Sequence, residues 1–429
     1  LGNAAFLASY LGMTFFITLD VARGISGKWR KAAYASAILQ LVAILAAGTR
    51  GTFLALIATG FVVLLYQAWK GEGRYRAYAR GGIIALLIFV ALFIAFRAEL
   101  AKAPFPPVAR LASISVEDAT TQSRLFIWRN VAVEAFQQPI LGVGAEHIQV
   151  LFNRFYDPTQ IIEEWFDRTH NAFLDYLVEY GIAGLILYLA LIAAFVREAW
   201  IASASGDSRS AYRGKILALL ALVYSVQNFF VFDTAVTLWL LFALYASLLA
   251  LRLQTTLRPL SLPISTLRTL PEIVPGGIAV LIALFIIPVS IQPLRANMAL
   301  AQGYLYQIYD VRRAVGEIEK GWKLGTYADI EYGYQLYEWY TERQMIQLTG
   351  EARVLAYRMA RDILAANFEK YPYDARTATY YAHVLDVAPK GEDASESLVR
   401  EVLARAIELS PKRIQPRYLL ANIEIKKGD

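Results

Sequence analysis

Cysteine is absent from the 429-residue chain. That excludes disulfides, thiolate nucleophiles and most zinc sites, and it says little about redox compartment. Histidine is scarce: His147, His170 and His383 are the three copies. Acid–base work near neutral pH therefore rests on very few side chains. Charge is thin as well. Charged residues make up 18% of the chain and hydrophobic ones 57%, where a soluble protein carries about a quarter charged. The deficit is uneven. Apolar blocks of roughly 17 to 25 residues, the length that spans a bilayer, recur as far as Gln292. Beyond it the sequence reads as ordinary soluble helix. The formal net charge is +6, but in a membrane chain the location of charge matters more than its sum. No nucleic-acid partner is expected. No signal peptide is expected in the opening Leu1-Gly2-Asn3 stretch, and the chain closes at Lys426-Lys427-Gly428-Asp429 just after a predicted helix. Both ends are expected to be cuts from a longer protein.

The pattern predicts an all-α protein: a polytopic transmembrane helical bundle over 1–292, then a soluble helical-repeat domain over 293–429. Eight spans are expected: Ala4 to Leu19, Ala32 to Ala47, Thr52 to Trp69, Gly82 to Phe96, Ala172 to Val196, Ile216 to Phe232, Thr234 to Leu251 and Gly276 to Gln292. Lys and Arg orient them. Arg23, Lys28, Arg30 and Lys31 lie between the first two spans, and Lys70, Arg74, Arg76 and Arg80 between the third and fourth. Arg197, Arg209, Arg213 and Lys215 follow the fifth, and Arg252, Arg258 and Arg268 follow the seventh. The alternate short turns hold Arg50 and no other base. The basic loops are therefore assigned to the cytoplasm. The Arg50 turn, the 97–169 loop, the Asp233 turn and the tail are assigned outside.

The 97–169 loop is too long for a plain connector. Ser123 to Gln138 is predicted as a helix, with Leu125, Trp128, Val131, Ala132 and Phe136 on one apolar face lying against the membrane. Pro139 stops it, and Gly142 and Gly144 form a turn. In the tail, Tyr371-Pro372-Tyr373-Asp374-Ala375-Arg376 and Ser410-Pro411-Lys412-Arg413 each lead into a helix with small residues inside. This resembles tetratricopeptide repeats, whose helix pairs build concave protein-binding surfaces. A plain helical bundle is the alternative.

Candidate chemistry gathers at the outer ends of the spans. His170 sits where the loop enters the fifth span, beside Asn171, and an imidazole there can take a proton from a sugar hydroxyl. His147 and His383 are expected only to satisfy a hydrogen bond. Arg50, flanked by Gly48, Thr49 and Gly51, offers a guanidinium and open amides to a phosphate. It can equally snorkel to lipid headgroups. Arg124 and Arg129 can clamp an anionic substrate or bind anionic lipid. Asp175 and Glu179, one helical turn apart, are either functional carboxylates near a bilayer or charges favoured by a helix N-terminus. Asn228 and Gln227 either complete a polar pocket or tie helices together.

Several of these residues fall in a recognisable order. His170-Asn171, then nine residues, then Gly181-Ile182-Ala183-Gly184 resembles the signature of the O-antigen ligase family. Thr49-Arg50-Gly51-Thr52-Phe53-Leu54 is similar to that family's Arg-x-x-x-Leu element. Ser123 to Trp128 with Gln138-Pro139-Ile140-Leu141-Gly142-Val143-Gly144 resembles its large outer loop. Leu1 to Ala8 resembles its Gly-Asn-Pro element, with Ala4 where Pro is usual. The resemblance covers about Leu1 to Leu251. It implies a GT-C-like membrane glycosyltransferase of the bacterial cytoplasmic membrane. Such an enzyme moves a glycan from an undecaprenyl pyrophosphate carrier to a glycan, lipid or protein acceptor, without nucleotide or metal. Carried over, His170 is the candidate base, and Arg50 and Arg124 are candidate pyrophosphate ligands; apart from the resemblance, Asn171, Arg129, Asp175, Glu179 and Asn228 are the candidates around the substrate. Lipid ligases, repeat-unit polymerases and protein oligosaccharyltransferases share this region. A partner on the tail is a further expectation. Two other classes remain open: a transporter using Asp175, Glu179 and Asn228, and a non-catalytic scaffold in which His170 and Arg50 lie far apart.

Overall fold

The computed structural model describes residues 3–427 apart from 114, 116, 257–272, 342–348 and 393. The expected inner bases Arg258 and Arg268 fall outside the described residues. Among the described residues the structure is helical, with no strand. Four long helices come first: α1 (Ala4–Gly24), α2 (Gly27–Ala47), α3 (Arg50–Lys70) and α4 (Gly73–Ala95). Asn3 caps α1 by accepting the Ala5 N–H at 2.8 Å. Gly48, at φ +61°, closes α2 in the left-handed region that glycine adopts without penalty. The long loop carries α5 (Arg97–Leu100), α6 (Pro106–Ala112), α7 (Ala119–Ala135) and α8 (Ile148–Phe155). Then come α9 (Ala172–Ser203), α10 (Ser208–Asn228) and α11 (Ala235–Thr256).

Seven helices among the described residues are long and apolar enough to cross a membrane. The chain is thus a polytopic helical protein, with one such helix fewer than the eight spans expected. The helix that falls short is α10. It carries Arg213, Lys215, Tyr224, Gln227 and Asn228, so its mean hydropathy is low. Yet α10 is the centre of the bundle. Ile216, Leu217, Leu220, Ala221, Val223 and Tyr224 are buried against Met13 and Phe16 of α1, Ala55 of α3, Tyr188, Phe195 and Ala199 of α9, and Leu241 and Leu248 of α11. A helix wrapped by other helices does not need a lipid-compatible surface. By contrast α4 buries only Ala79, and its large apolar residues face outward, as lipid contact allows.

Charged pairs close one end of the bundle. Asp20 of α1 accepts from Arg213 of α10 at 3.0 Å and lies 3.3 Å from Arg209. Glu198 of α9 meets Arg252 of α11 at 2.7 Å. The opposite end carries Arg50, the α10–α11 turn and the long loop.

The chain divides into two compact units, Leu1–Leu151 with Gln160–Leu260, and Phe152–Thr159 with Ser261–Asp429. The last predicted span ends at Gln292, but the helix Ile273–Ile286 passes through a π turn, Ile287–Ile291, and runs on as Gln292–Tyr306. Pro288 in that turn lacks an N–H and crowds the preceding carbonyl, and a wider turn absorbs the mismatch. This helix groups with the tail. Helices Val311–Trp322, Asp329–Thr341, Gly350–Lys370, Ala375–Asp386, Glu396–Leu409 and Ile414–Lys427 follow. Gln292–Tyr306 packs on Val311–Trp322, which packs on Gly350–Lys370; from Asp329–Thr341 onward each helix packs on its successor, and Asp329–Thr341 also packs on Ala375–Asp386 and Ala375–Asp386 on Ile414–Lys427. Tyr337 and Tyr380 stack at 3.6 Å between the first of these alternate pairs.

Candidate functional site

The loop that leads into α9 is organised by its own backbone. Thr169 is fully buried. Its amide and hydroxyl both donate to Asp175 Oδ1, at 2.9 and 2.6 Å. Its carbonyl accepts the indole N–H of Trp128 at 2.8 Å. Asn171 caps α9, its Oδ1 accepting the N–H groups of Phe173 and Leu174 at 3.0 and 3.2 Å. Between these two fixed residues His170 adopts φ +57°. Few non-glycine residues occupy that region, though histidine is among those that do, and such strain persists where surroundings impose it. Thr169 and Asn171 impose it here.

The His170 ring lies between Phe166 and Phe232, at centroid distances of 6.0 and 5.7 Å. No described side chain or backbone group hydrogen-bonds to it. Burial, and then the nearby Arg124 guanidinium, lower its pKa to about 4, with Asp167 opposing. The imidazole is neutral at physiological pH and both ring nitrogens are free. His147 and His383 differ: each makes a hydrogen bond, to the Ala145 carbonyl at 2.6 Å and to the Tyr337 hydroxyl at 2.9 Å.

Arg124 is half-buried on α7. It makes one hydrogen bond, to the Phe230 carbonyl at 3.3 Å. No carboxylate of the described residues stands within ion-pair distance. Burial lowers its pKa, as does the charge of Arg50, against the pull of Glu163 and Asp118. A desolvated guanidinium with spare donors is what an incoming anion needs.

Arg50 is placed differently from the expectation of an open turn. As the first residue of α3 it already has three protein partners. It donates to Asp118 at 3.0 Å, to the Arg110 carbonyl at 3.1 Å and to the Ser113 hydroxyl at 2.9 Å. Burial alone raises the Asp118 carboxyl; Arg50 and Thr121 outweigh it and hold it below the usual carboxylate range. Arg50 therefore folds the loop around itself, and its charge reaches Arg124.

The remaining expected ligands also have structural partners. Asp175 holds Thr169 through Oδ1, while its buried Oδ2 has no hydrogen-bond partner. Glu179 accepts from the Glu146 amide and from Arg168, each at 2.9 Å. Arg168 also pairs with the Glu146 carboxylate. Burial opposes the charge of Arg168, but Glu179 and Glu146 more than offset it and raise its pKa. Asn228 donates to the Tyr188 hydroxyl and to Asp233, both at 2.9 Å. Arg129 is exposed and lies about 140° around the helix from Arg124, five residues on, so the two do not form one clamp. The apolar face predicted on α7 is divided between buried Val131 and exposed positions. Its buried stripe is Ser123, Ile127, Val131 and Ala135, whereas Leu125 and Phe136 are exposed. The expected hydrophobic set mixed both sides because Trp128 faces the Thr169 turn.

Two features escaped the sequence. Asp233 lies in a buried polar cluster. It accepts from Tyr224 at 2.7 Å, from Tyr188 at 2.9 Å and from Asn228, and burial raises its pKa against all these donors. The second is a break in α9 at Gly181, φ +66° and ψ −168°, inside the span expected to be continuous. The chain 139–144 fills the break. The N–H groups of Val143 and Gly144 donate to the carbonyls of Val178 and Glu179, both at 2.9 Å. The N–H groups of Ile182 and Ala183 donate back to Pro139 and Ile140 at 2.8 and 3.3 Å. A Cβ on Gly181 would stand 2.2 Å from the Ile140 carbonyl oxygen, and one on Gly142 would stand 2.5 Å from the backbone at Glu179 and Gly181. The signal was present as two glycine motifs, but nothing in the sequence says that they meet.

Arg50, Arg124 and His170 thus share one end of the bundle, linked by mutual electrostatics, with Arg124 and His170 lacking the partners that occupy the others. Among curated proteins, none matches the chain. The sequence model of a family described as O-antigen ligase matches residues 35–189, a stretch that runs from α2 past the break in α9 and contains Arg50, Arg124, His170, Gly181 and Gly184.

Proposed function

We propose that the chain is a membrane glycosyltransferase. It moves a glycan from an undecaprenyl pyrophosphate carrier to a lipid, glycan or protein hydroxyl at the outer face of the bacterial cytoplasmic membrane. The observation that carries this reading is the pair of unengaged groups: a neutral imidazole without a hydrogen bond beside a desolvated guanidinium without a carboxylate. In the proposed reaction the acceptor oxygen attacks the anomeric carbon and its proton passes to a His170 ring nitrogen. The bond from that carbon to the pyrophosphate oxygen breaks, and the electron pair stays on the leaving group. Arg124 stabilises the growing negative charge. A general base works best when its pKa lies near the operating pH, and a value of about 4 is low for that work. Binding of the anionic donor beside Arg124 cancels one of the two causes of that depression, so the base strengthens when substrate arrives. Arg50 acts one layer out, by holding Asp118 and the loop. Asn171, Asp175, Glu179 and Asn228 are proposed to shape the site rather than to touch substrate. Arg129 is proposed to meet lipid headgroups.

A transporter reading draws on the broken helix, a feature of such proteins. Here the gap in α9 is filled by loop backbone rather than by an open cavity, which favours the transferase. The test is glycan transfer from the lipid carrier in membranes of a full-length protein. Arg124→Ala and His170→Ala are each expected to lower transfer by about 100-fold or more, at unchanged expression. Full activity of either variant contradicts the reading.

A further inference from the structure

The stretch 135–145 of the long loop carries no charged residue. It leaves the end of α7 and runs into the turn that fills the break in α9. Four large apolar side chains on this path and on the last turn of α7 stand in the open. Val133 is 61% exposed, Phe136 79%, Ile140 66% and Leu141 77%. An apolar cluster of this kind marks a contact surface.

The backbone fixes where the cluster lies. Ile182 and Ala183 donate to the Pro139 and Ile140 carbonyls, so the turn sits beside residues 178–183 of α9. On α9 itself Tyr180, Ile182 and Ile186 are exposed, and Ile182 and Ile186 share one face at helical spacing. The apolar surface of the turn therefore continues the outward surface of a helix long and apolar enough to cross a membrane. Depth follows from length. Arg197 and Glu198 end the apolar run of α9. A bilayer core takes about 20 helical residues, which reaches back from Arg197 to about residue 177. Ile182 to Val196 alone covers only about 22 Å. Tilt lessens the depth gained per residue and moves the boundary further back. The break and the turn within it thus fall inside the hydrocarbon, with Tyr180 near its edge, where amphipathic rings gather.

Non-helical backbone is tolerated at that depth where protein binds its polar groups, and here α9 does so. Pro139 has no N–H to satisfy. The Pro139 and Ile140 carbonyls accept from α9, the Val143 and Gly144 N–H groups donate to it, and the Gly142 N–H donates to the Gln138 carbonyl at 3.0 Å. In return the loop backbone binds the α9 groups on either side of Gly181.

We propose that Val133, Phe136, Ile140 and Leu141 form a wedge that enters the bilayer leaflet at the His170 end of the bundle, where lipid acyl chains cover it. The long loop is then fastened to the membrane at its glycine turn rather than along the length of α7. The wedge rests on the spans and the turn and not on the chemistry of His170, so it stands whether or not the chain transfers glycan.

The absence of cysteine makes the test direct. Leu141→Cys, Phe136→Cys and, as a control on an exposed polar part of the same loop, Glu117→Cys are each labelled with an environment-sensitive nitrobenzoxadiazole dye. Each full-length protein is placed in phosphatidylcholine nanodiscs. Quenching is read with iodide in the water and, separately, with a nitroxide on the lipid acyl chain. At Leu141 the iodide quenching constant is expected to be at least about fivefold below that of the control, as insertion past the headgroups requires. The acyl-chain nitroxide is expected to quench Leu141 and to leave the control unchanged. If Leu141→Cys does not fold, Phe136→Cys carries the same comparison. A dye as open to iodide as the control overturns the proposal. A dye shielded from iodide but untouched by the acyl-chain nitroxide also overturns it, because protein rather than lipid then covers the cluster.

Discussion

At the scale of single residues, the contrast between Arg50 and Arg124 decides what each can do. Both stood out in the sequence as candidate anion ligands, and nothing in the sequence separated them. Ser113 and Asp118, which occupy Arg50, lie more than sixty residues away. Arg50→Ala is expected to destabilise the loop by about 1–2 kcal/mol through loss of its hydrogen bonds. Faster proteolytic cleavage within 97–118 would report it. His170 carries a second expectation. Its folded pKa, about 4, lies below the unfolded value of about 6.5. Between those values the unfolded chain binds more protons, so stability is complete above about pH 6.5 and drains as pH falls towards 4. Thermal unfolding of the parent and His170→Gln, scanned over that window, is expected to show the parent losing more stability on acidification. Parallel curves would mean that His170 titrates normally.

At the scale of elements, the break in α9 couples the glycine turn of the loop to the helix that follows His170. Gly181→Ala and Gly142→Ala combine a positive φ with a backbone clash. Each is expected to cost at least about 2 kcal/mol. Gly60→Ala, which meets nothing within 4 Å, is the neutral control, and melting temperature in detergent compares all three. The existence and type of the elements were readable because the apolar blocks and the 3.6-residue period are strong signals. The break was not, since a glycine inside an apolar helix usually continues the helix. The stripe that α7 buries was hidden for a related reason: Trp128 is apolar in pattern but is spent on a hydrogen bond to Thr169.

At the scale of the whole molecule, the helical and polytopic character followed from composition alone, while the low hydropathy of α10 concealed its central place. The candidate site was half legible. The sequence offered His170, Arg50 and Arg124, but it had no means of showing that Asn171, Asp175, Glu179 and Asn228 were engaged in holding backbone and neighbours. The proposed orientation is open to a direct check, because the chain lacks cysteine. Thr159→Cys is expected to react with a membrane-impermeant maleimide in intact spheroplasts, and Ser205→Cys only after permeabilisation. The reverse pattern would invert the topology and place His170 on the wrong face for the reaction.

The most direct test of the central claim separates binding from chemistry in one protein. Donor affinity and the single-turnover rate of glycan transfer are measured for His170→Ala beside the parent. Donor affinity within about threefold of the parent, with a rate at least about 100-fold lower, is the expected result, because His170 acts on the acceptor proton and Arg124 on the diphosphate. A single-turnover rate equal to that of the parent would contradict the account and leave His170 as a strained residue of the loop.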